Sequence, residues 1–198
     1  MSVSPVFVIF SNSKGKTTAP ASLYKLLGSG KLHCAVKYEE TNVAWEWKIS
    51  PVGWRIPADG KTVKLDEIKL ALKCVLKCLA SLHREGFVHR DIRWSNIIKV
   101  PIRVAPGFEF RVIDFDYGEV DGAPMNIENY VFSNLIEDGS LYTNIHDMIL
   151  VHELLTTWRN SRSSRWTDVA GLQFHKEVAG MTASDALNHL WFNVEEAD

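Results

Sequence analysis

Apolar and polar positions fall into two regimes along the chain. Up to about residue 50 the apolar runs are short. Val6 to Phe10 is a strand candidate, and Leu32 to Tyr38 and Val43 to Ile49 alternate apolar with polar residues, which predicts strands with one buried face. Ala19 to Leu27 carries a modest helical pattern, with Pro20 tolerated in its first turn. Ser50-Pro51-Val52-Gly53 breaks the pattern and predicts a boundary between two lobes. Beyond it the period becomes helical. Leu65, Ile68, Leu72, Val75, Leu76, Leu79 and Leu82 make one stripe, Lys64, Lys69, Lys73 and Lys77 lie mostly off it, and Gly86 predicts the helix end. Ile97 to Val100 and Phe108 to Ile113 read as short strands, Tyr142 to Trp158 as a second amphipathic helix, and Ala183 to Trp191 as a third. The order predicts an α+β fold, with a strand-rich lobe and hinge over residues 1–53 and a mostly helical lobe over 54–198.

Composition narrows the function classes. With 46% hydrophobic and 23% charged residues, the 198-residue chain is that of a globular protein rather than a disordered one. A net charge of −2 argues against a global electrostatic grip on nucleic acid. Residues 1–38 hold five lysines and no acid, but without interleaved aromatics they make a poor nucleic-acid surface. No apolar run is long enough to span a membrane, and the first ten residues lack the basic flank of a signal peptide. Cys34, Cys74 and Cys78 are too few and too irregular for a disulfide framework or a zinc site, so reduced thiols in a reducing compartment, cytoplasm or nucleus, are expected. His146 and His152, six apart on a helix, do not share a face for a metal.

The chemistry is concentrated in two short stretches. His89-Arg90-Asp91-Ile92-Arg93-Trp94-Ser95-Asn96 stands between the long helix and the strand pair, and Ile113-Asp114-Phe115-Asp116-Tyr117-Gly118 follows the second strand. Phosphoryl transfer needs a carboxylate to orient the attacking hydroxyl and oxygen ligands to hold magnesium against a triphosphate. Asp91, Asn96 and Asp114 supply those groups.

These stretches resemble the protein kinase superfamily, whose catalytic-loop pattern H-R-D-x-x-x-x-N is matched by His89, Arg90, Asp91 and Asn96. Leu82 to Val88 is similar to the end of the preceding helix, Tyr142 to Leu154 to the central helix of the large lobe, and Thr182 to Phe192 to its closing segment. The phrasing of both stretches looks most like fungal-type kinases and the kinase domains of Crinkler-type effectors. The resemblance implies ATP and Mg2+ as cofactors and transfer of the γ-phosphate to a Ser/Thr hydroxyl of a protein substrate. It implies Asp91 as catalytic base, Arg93 facing the transferred phosphate, Asn96 and Asp114 as metal ligands, and Arg90 answering the charge of an activation segment. Asp147 takes the place where the family buries an aspartate under the loop. His89 is expected to support the loop backbone, and Trp94 to pack.

Three departures open a second expectation. Asp116 stands where protein kinases have the glycine of Asp-Phe-Gly, which removes a permissive backbone position. No Ala-Pro-Glu closes the activation segment; Phe132-Ser133-Asn134 is its counterpart. The small lobe is short, and no G-x-G-x-x-G lid is present. In one register Leu27 to Gly30 stands in for the lid and Lys37 for the phosphate-binding lysine; in the other Val6 to Phe10 is the lysine strand and Ala19 to Leu27 the helix. Ser11 to Thr18 has a Gly-Lys-Thr core, but Phe10 replaces the first glycine of a phosphate-binding loop. The alternative is therefore a catalytically impaired pseudokinase or effector scaffold that binds a protein partner. A homodimer in which a second copy completes the small lobe is a further expectation.

Overall fold

The computed structural model describes residues 7–10, 19–40, 46–102, 107–125, 139–161 and 166–193. The Gly-Lys-Thr stretch and Phe132 to Asn134 lie outside them.

The chain opens strand–helix–strand–strand: β1 (Phe7–Phe10), α1 (Ala21–Ser29), β2 (Lys37–Glu40) and β3 (Glu46–Ser50). The three strands form an antiparallel sheet in the order β1-β3-β2, with Phe7 opposite Ile49 and Tyr38 opposite Ile49 from the other side. α1 buries Leu23, Leu26 and Leu27, and Gly30 ends it at φ 71°, a left-handed cap that glycine takes without strain. Leu27 to Gly30 is thus a helix terminus and not a lid. β2 begins five residues later than the alternation predicts. Cys34 turns at φ 56°, and residues 34–36 instead bond to the neighbouring sheet, Val112 N–H to Cys34 O at 2.8 Å and Val36 N–H to Val112 O at 3.1 Å. The apolar positions Leu32, Ala35 and Val36 are buried in this connection.

A second sheet, β4-β6-β7, joins β4 (Trp54–Arg55), β6 (Ile97–Pro101) and β7 (Phe108–Val112). The break at Ser50 to Gly53 therefore separates strands of different sheets. Gly53 lies against β6 so closely that a Cβ there would stand 2.4 Å from Lys99 O. α2 (Ile68–Arg84) carries the predicted stripe, buried from Ile68 through Leu82. It starts after Leu65, which is exposed, because Glu67 ends the preceding turn by accepting the Lys64 N–H at 3.2 Å and pairing with Lys99 at 2.8 Å.

β5 (Phe87–Val88) pairs β8 (Glu119–Val120), which brackets the two chemical stretches between hydrogen-bonded ends. α3 (Asn144–Asn160) follows, with the Thr143 N–H donating to His146 Nδ1 at 2.9 Å at its start. The predicted third helix is two short ones, α5 (Ala183–Leu187) and α6 (Leu190–Asn193), preceded by α4 (Val169–Glu177), which the periodicity does not show. The larger of two apolar clusters runs from Leu23 and Tyr38 through α2 and Phe115 to Trp158 and Trp191, and the smaller joins Val88, Met125 and Tyr142.

Candidate active site

Asp147, on the first turn of α3, is fully buried and organises the loop above it. Its carboxylate accepts the backbone N–H groups of His89 at 2.8 Å and Arg90 at 2.9 Å, the Tyr142 hydroxyl at 2.9 Å, and lies 2.9 Å from His83 Nε2. Burial pushes its carboxyl upward, but the hydrogen bond and charge of His83, with the His89 bond, hold it below the ordinary carboxylate range. Arg90 can therefore turn at φ 67°, a conformation non-glycine residues rarely adopt and which clusters at functional sites.

That turn presents Asp91. Its Oδ2 accepts Asn96 Nδ2 at 2.7 Å and Arg93 Nη2 at 3.0 Å. Its N–H donates to His89 Nδ1 at 3.2 Å, and His89 Nε2 lies 3.2 Å from Ile113 O, which assigns the proton to Nε2. His89 thus ties the loop to the chain just before Asp114. Asn96 is tied to it too, its carbonyl accepting the Ile113 N–H at 2.9 Å. With Nδ2 committed to Asp91, Asn96 Oδ1 accepts no hydrogen bond among the described residues. Trp94 is buried, its indole N–H bonded to Leu154 O at 3.0 Å.

Asp114 follows at φ 65°. Its half-buried carboxylate has no hydrogen bond or ion pair among the described residues. Phe115 turns inward, fully buried, with ring centroids 4.5 Å from His89 and 6.4 Å from Tyr38. Asp116 faces α1 instead, accepting the Tyr24 hydroxyl at 2.9 Å and the Ala19 N–H on its carbonyl at 3.2 Å. Desolvation raises its carboxyl, the Tyr24 bond lowers it, and the Asp114 charge raises it further, with a net upward shift. Gly118 lets α1 approach, since a Cβ there would meet Leu23 Cδ2 at 2.4 Å.

The fold thus brings Asp91, Arg93 and Asn96 into one hydrogen-bonded group and links it through Ile113 to Asp114. Lys37 is not brought to them. Its Nζ pairs with Glu39 at 2.8 Å on the exposed face of β2, opposite buried Tyr38, because strand alternation turns it away. β1, Phe-Val-Ile-Phe, contains no lysine either. Arg90 Nη2 lies 2.8 Å from Ala123 O and 3.3 Å from Pro124 O, with its guanidinium over the Tyr142 ring. Sequence reasoning did not single out Tyr24, His83 or Tyr142. Tyr24 and Asp116 are 92 positions apart, and no local pattern announces such a pair.

No protein-family profile matches the chain. A 55-residue stretch is 51% identical to Crinkler effector protein 8 of Phytophthora infestans, covering 28% of this chain and 8% of that protein's length. The fold matches the crystal structure of the Rad53 kinase domain and SCD2 with a TM-score of 0.64 at 17% identity, over 98% of this chain and 84% of that one. An Asp buried beneath a His-Arg-Asp turn, a strand pair leading to Asp-Phe-Asp, and this superposition agree: the chain has a protein kinase-like fold.

Proposed function

We propose that the chain is a phosphotransferase that moves the γ-phosphate of ATP to a Ser or Thr hydroxyl, with Mg2+. The observation that carries this reading is the division of labour at Asp91. Oδ2 is held by Asn96 and Arg93, while Oδ1 accepts no hydrogen bond among the described residues. Oδ1 is the oxygen that orients the substrate hydroxyl and takes its proton. Arg93, one-third exposed, pairs with Asp91 Oδ2 at 3.0 Å and offers its remaining N–H groups to the transferred phosphate. Asn96 Oδ1 and the Asp114 carboxylate are hard oxygen donors without a competing partner among the described residues, which fits a magnesium ion. The metal, when bound, would neutralise phosphate charge during transfer.

The substrate is read as protein, with a basic segment favoured by the nine acids and no Lys or Arg of residues 112–157. Residues 1–53 are read as the small lobe. Three cysteines without a disulfide suit a reducing interior, and the Crinkler likeness favours a host cell as the place of action. The absence of lysine from β1 and the Lys37–Glu39 pair favour a second reading, a scaffold that binds a protein partner without transfer. A second copy completing the small lobe would reconcile the two.

The deciding measurement is γ-phosphate transfer to a basic Ser/Thr peptide library, for the wild type and Asp91→Asn. Loss of the base is expected to lower the rate by about 10²–10⁴-fold. Equal rates in the two proteins would overturn the assignment of Asp91, and no transfer by a folded wild type with weak or absent Mg-ATP binding would favour the scaffold.

A further inference from the structure

Asp116 is the carboxylate to which the phosphotransfer chemistry gives no task. It stands two residues past Asp114, and the chain around α1 grips it. The Tyr24 hydroxyl donates to Asp116 Oδ1 at 2.9 Å, and the Ala19 N–H donates to Asp116 O at 3.2 Å. Gly118 N–H closes the turn on Phe115 O at 2.9 Å, and Leu23 of α1 packs where a Cβ of residue 118 would stand. Asp114 needs such a grip. Its backbone sits at φ 65°, which a non-glycine residue holds where its surroundings over-determine it. Upstream, Ile113 N–H bonds Asn96 O at 2.9 Å and Ile113 O lies 3.2 Å from His89 Nε2. Downstream, Phe115 is fixed by burial and Asp116 by α1. The Tyr24 ring contributes separately, edge-on to Tyr38 with centroids 5.8 Å apart. A phenylalanine at 24 keeps that contact and loses the hydroxyl alone.

We propose that Tyr24 is a positioning residue of the phosphotransfer site: its hydroxyl, acting through the Asp116 carboxylate, holds the turn that sets the Asp114 carboxylate for Mg2+. Mg2+ enters through the phosphotransferase reading, whereas the hold on the turn stands on the geometry alone. The aspartate in place of the Asp-Phe-Gly glycine thereby acquires a purpose, since glycine offers α1 no carboxylate to grasp. Coupling of this kind is reciprocal, so Mg-ATP bound at Asp114 steadies α1 as α1 steadies Asp114.

Tyr24→Phe and Asp116→Ala, singly and together in the full chain, provide the test. Amide exchange without ligand comes first. Loss of one hydrogen bond at the turn should speed exchange of the Gly118 amide about 3- to 10-fold in Tyr24→Phe, while the His89 amide, held by Asp147, stays at its wild-type rate. Calorimetric titration with ATP follows, in magnesium and in EDTA. Mg-ATP affinity should fall about 3- to 10-fold in Tyr24→Phe and ATP affinity in EDTA should keep its wild-type value, whereas general damage to the fold lowers both. The double variant should bind no more weakly than Asp116→Ala alone, because the hydroxyl acts through that carboxylate. Unchanged Gly118 exchange, wild-type Mg-ATP affinity in Tyr24→Phe, additive losses in the double variant, or equal losses with and without magnesium would overturn the proposal. If wild type binds no Mg-ATP and Tyr24→Phe still frees the turn, Tyr24 keeps its hold on Asp114 and the phosphotransferase reading falls.

Discussion

Asp147 never faces solvent, yet four groups converge on it: His83, the His89 and Arg90 amides, and Tyr142. Asp147→Asn puts a donor where an acceptor is required and is expected to cost about 3–5 kcal/mol, read by urea unfolding at pH 7. The pH dependence has a fixed sign. A carboxyl held lower in the folded state than in the unfolded chain stabilises fully above the unfolded value and stops doing so as pH falls through the folded one. Unfolding free energy should therefore drop on acidification below about pH 5, and the drop should shrink in Asp147→Asn. The residues that bond one another inside the loop were legible in the sequence, because Asp91, Arg93 and Asn96 lie within six positions and Asp91 and Asn96 matched a known pattern. The setting of Lys37 was not legible for the converse reason: an Ala-Val-Lys tripeptide says nothing about which side of a strand a lysine takes, and in the fold Lys37 pairs with Glu39.

Helices and strands were legible in proportion to how much of their burial is periodic. α2 buries a clean stripe of aliphatics and came out within a turn. α4 is nine residues with Gly171 in its first turn, and a Cβ at that glycine would lie 2.2 Å from the Trp166 ring. Tertiary packing chose a poor helix former there, so local preference could not find it. The two-residue strands β4, β5 and β8 are fixed by partners 31 to 45 positions away and carry no alternation of their own. Gly53 shows the same logic at a junction. Its near neighbour is the Lys99 carbonyl, backbone that cannot swing aside, so Gly53→Ala should separate β6 from the end of the first sheet. We expect a loss of about 1–3 kcal/mol. A thermal scan should register it as about 2–4 °C per kcal/mol at this chain length.

Across the whole molecule, the phosphotransferase reading requires that the cleft hold nucleotide without a lysine on β1. Thermal unfolding followed by tryptophan fluorescence, with and without Mg-ATP, tests that requirement. At a hundred times the dissociation constant a ligand adds about 2.7 kcal/mol, or roughly 5–10 °C here. The shift should need magnesium and should vanish in Asp114→Ala, whose side chain anchors nothing else among the described residues. A shift of equal size in that variant would remove Asp114 from the binding site. The carboxylate of Asp147 has a consequence in time as well as in space. Translation delivers His83, His89 and Arg90 long before residue 147, so a growing or truncated chain that stops short of α3 has the whole His-Arg-Asp sequence but nothing to hold its amides in place. The loop's geometry is therefore set only once residue 147 has been delivered.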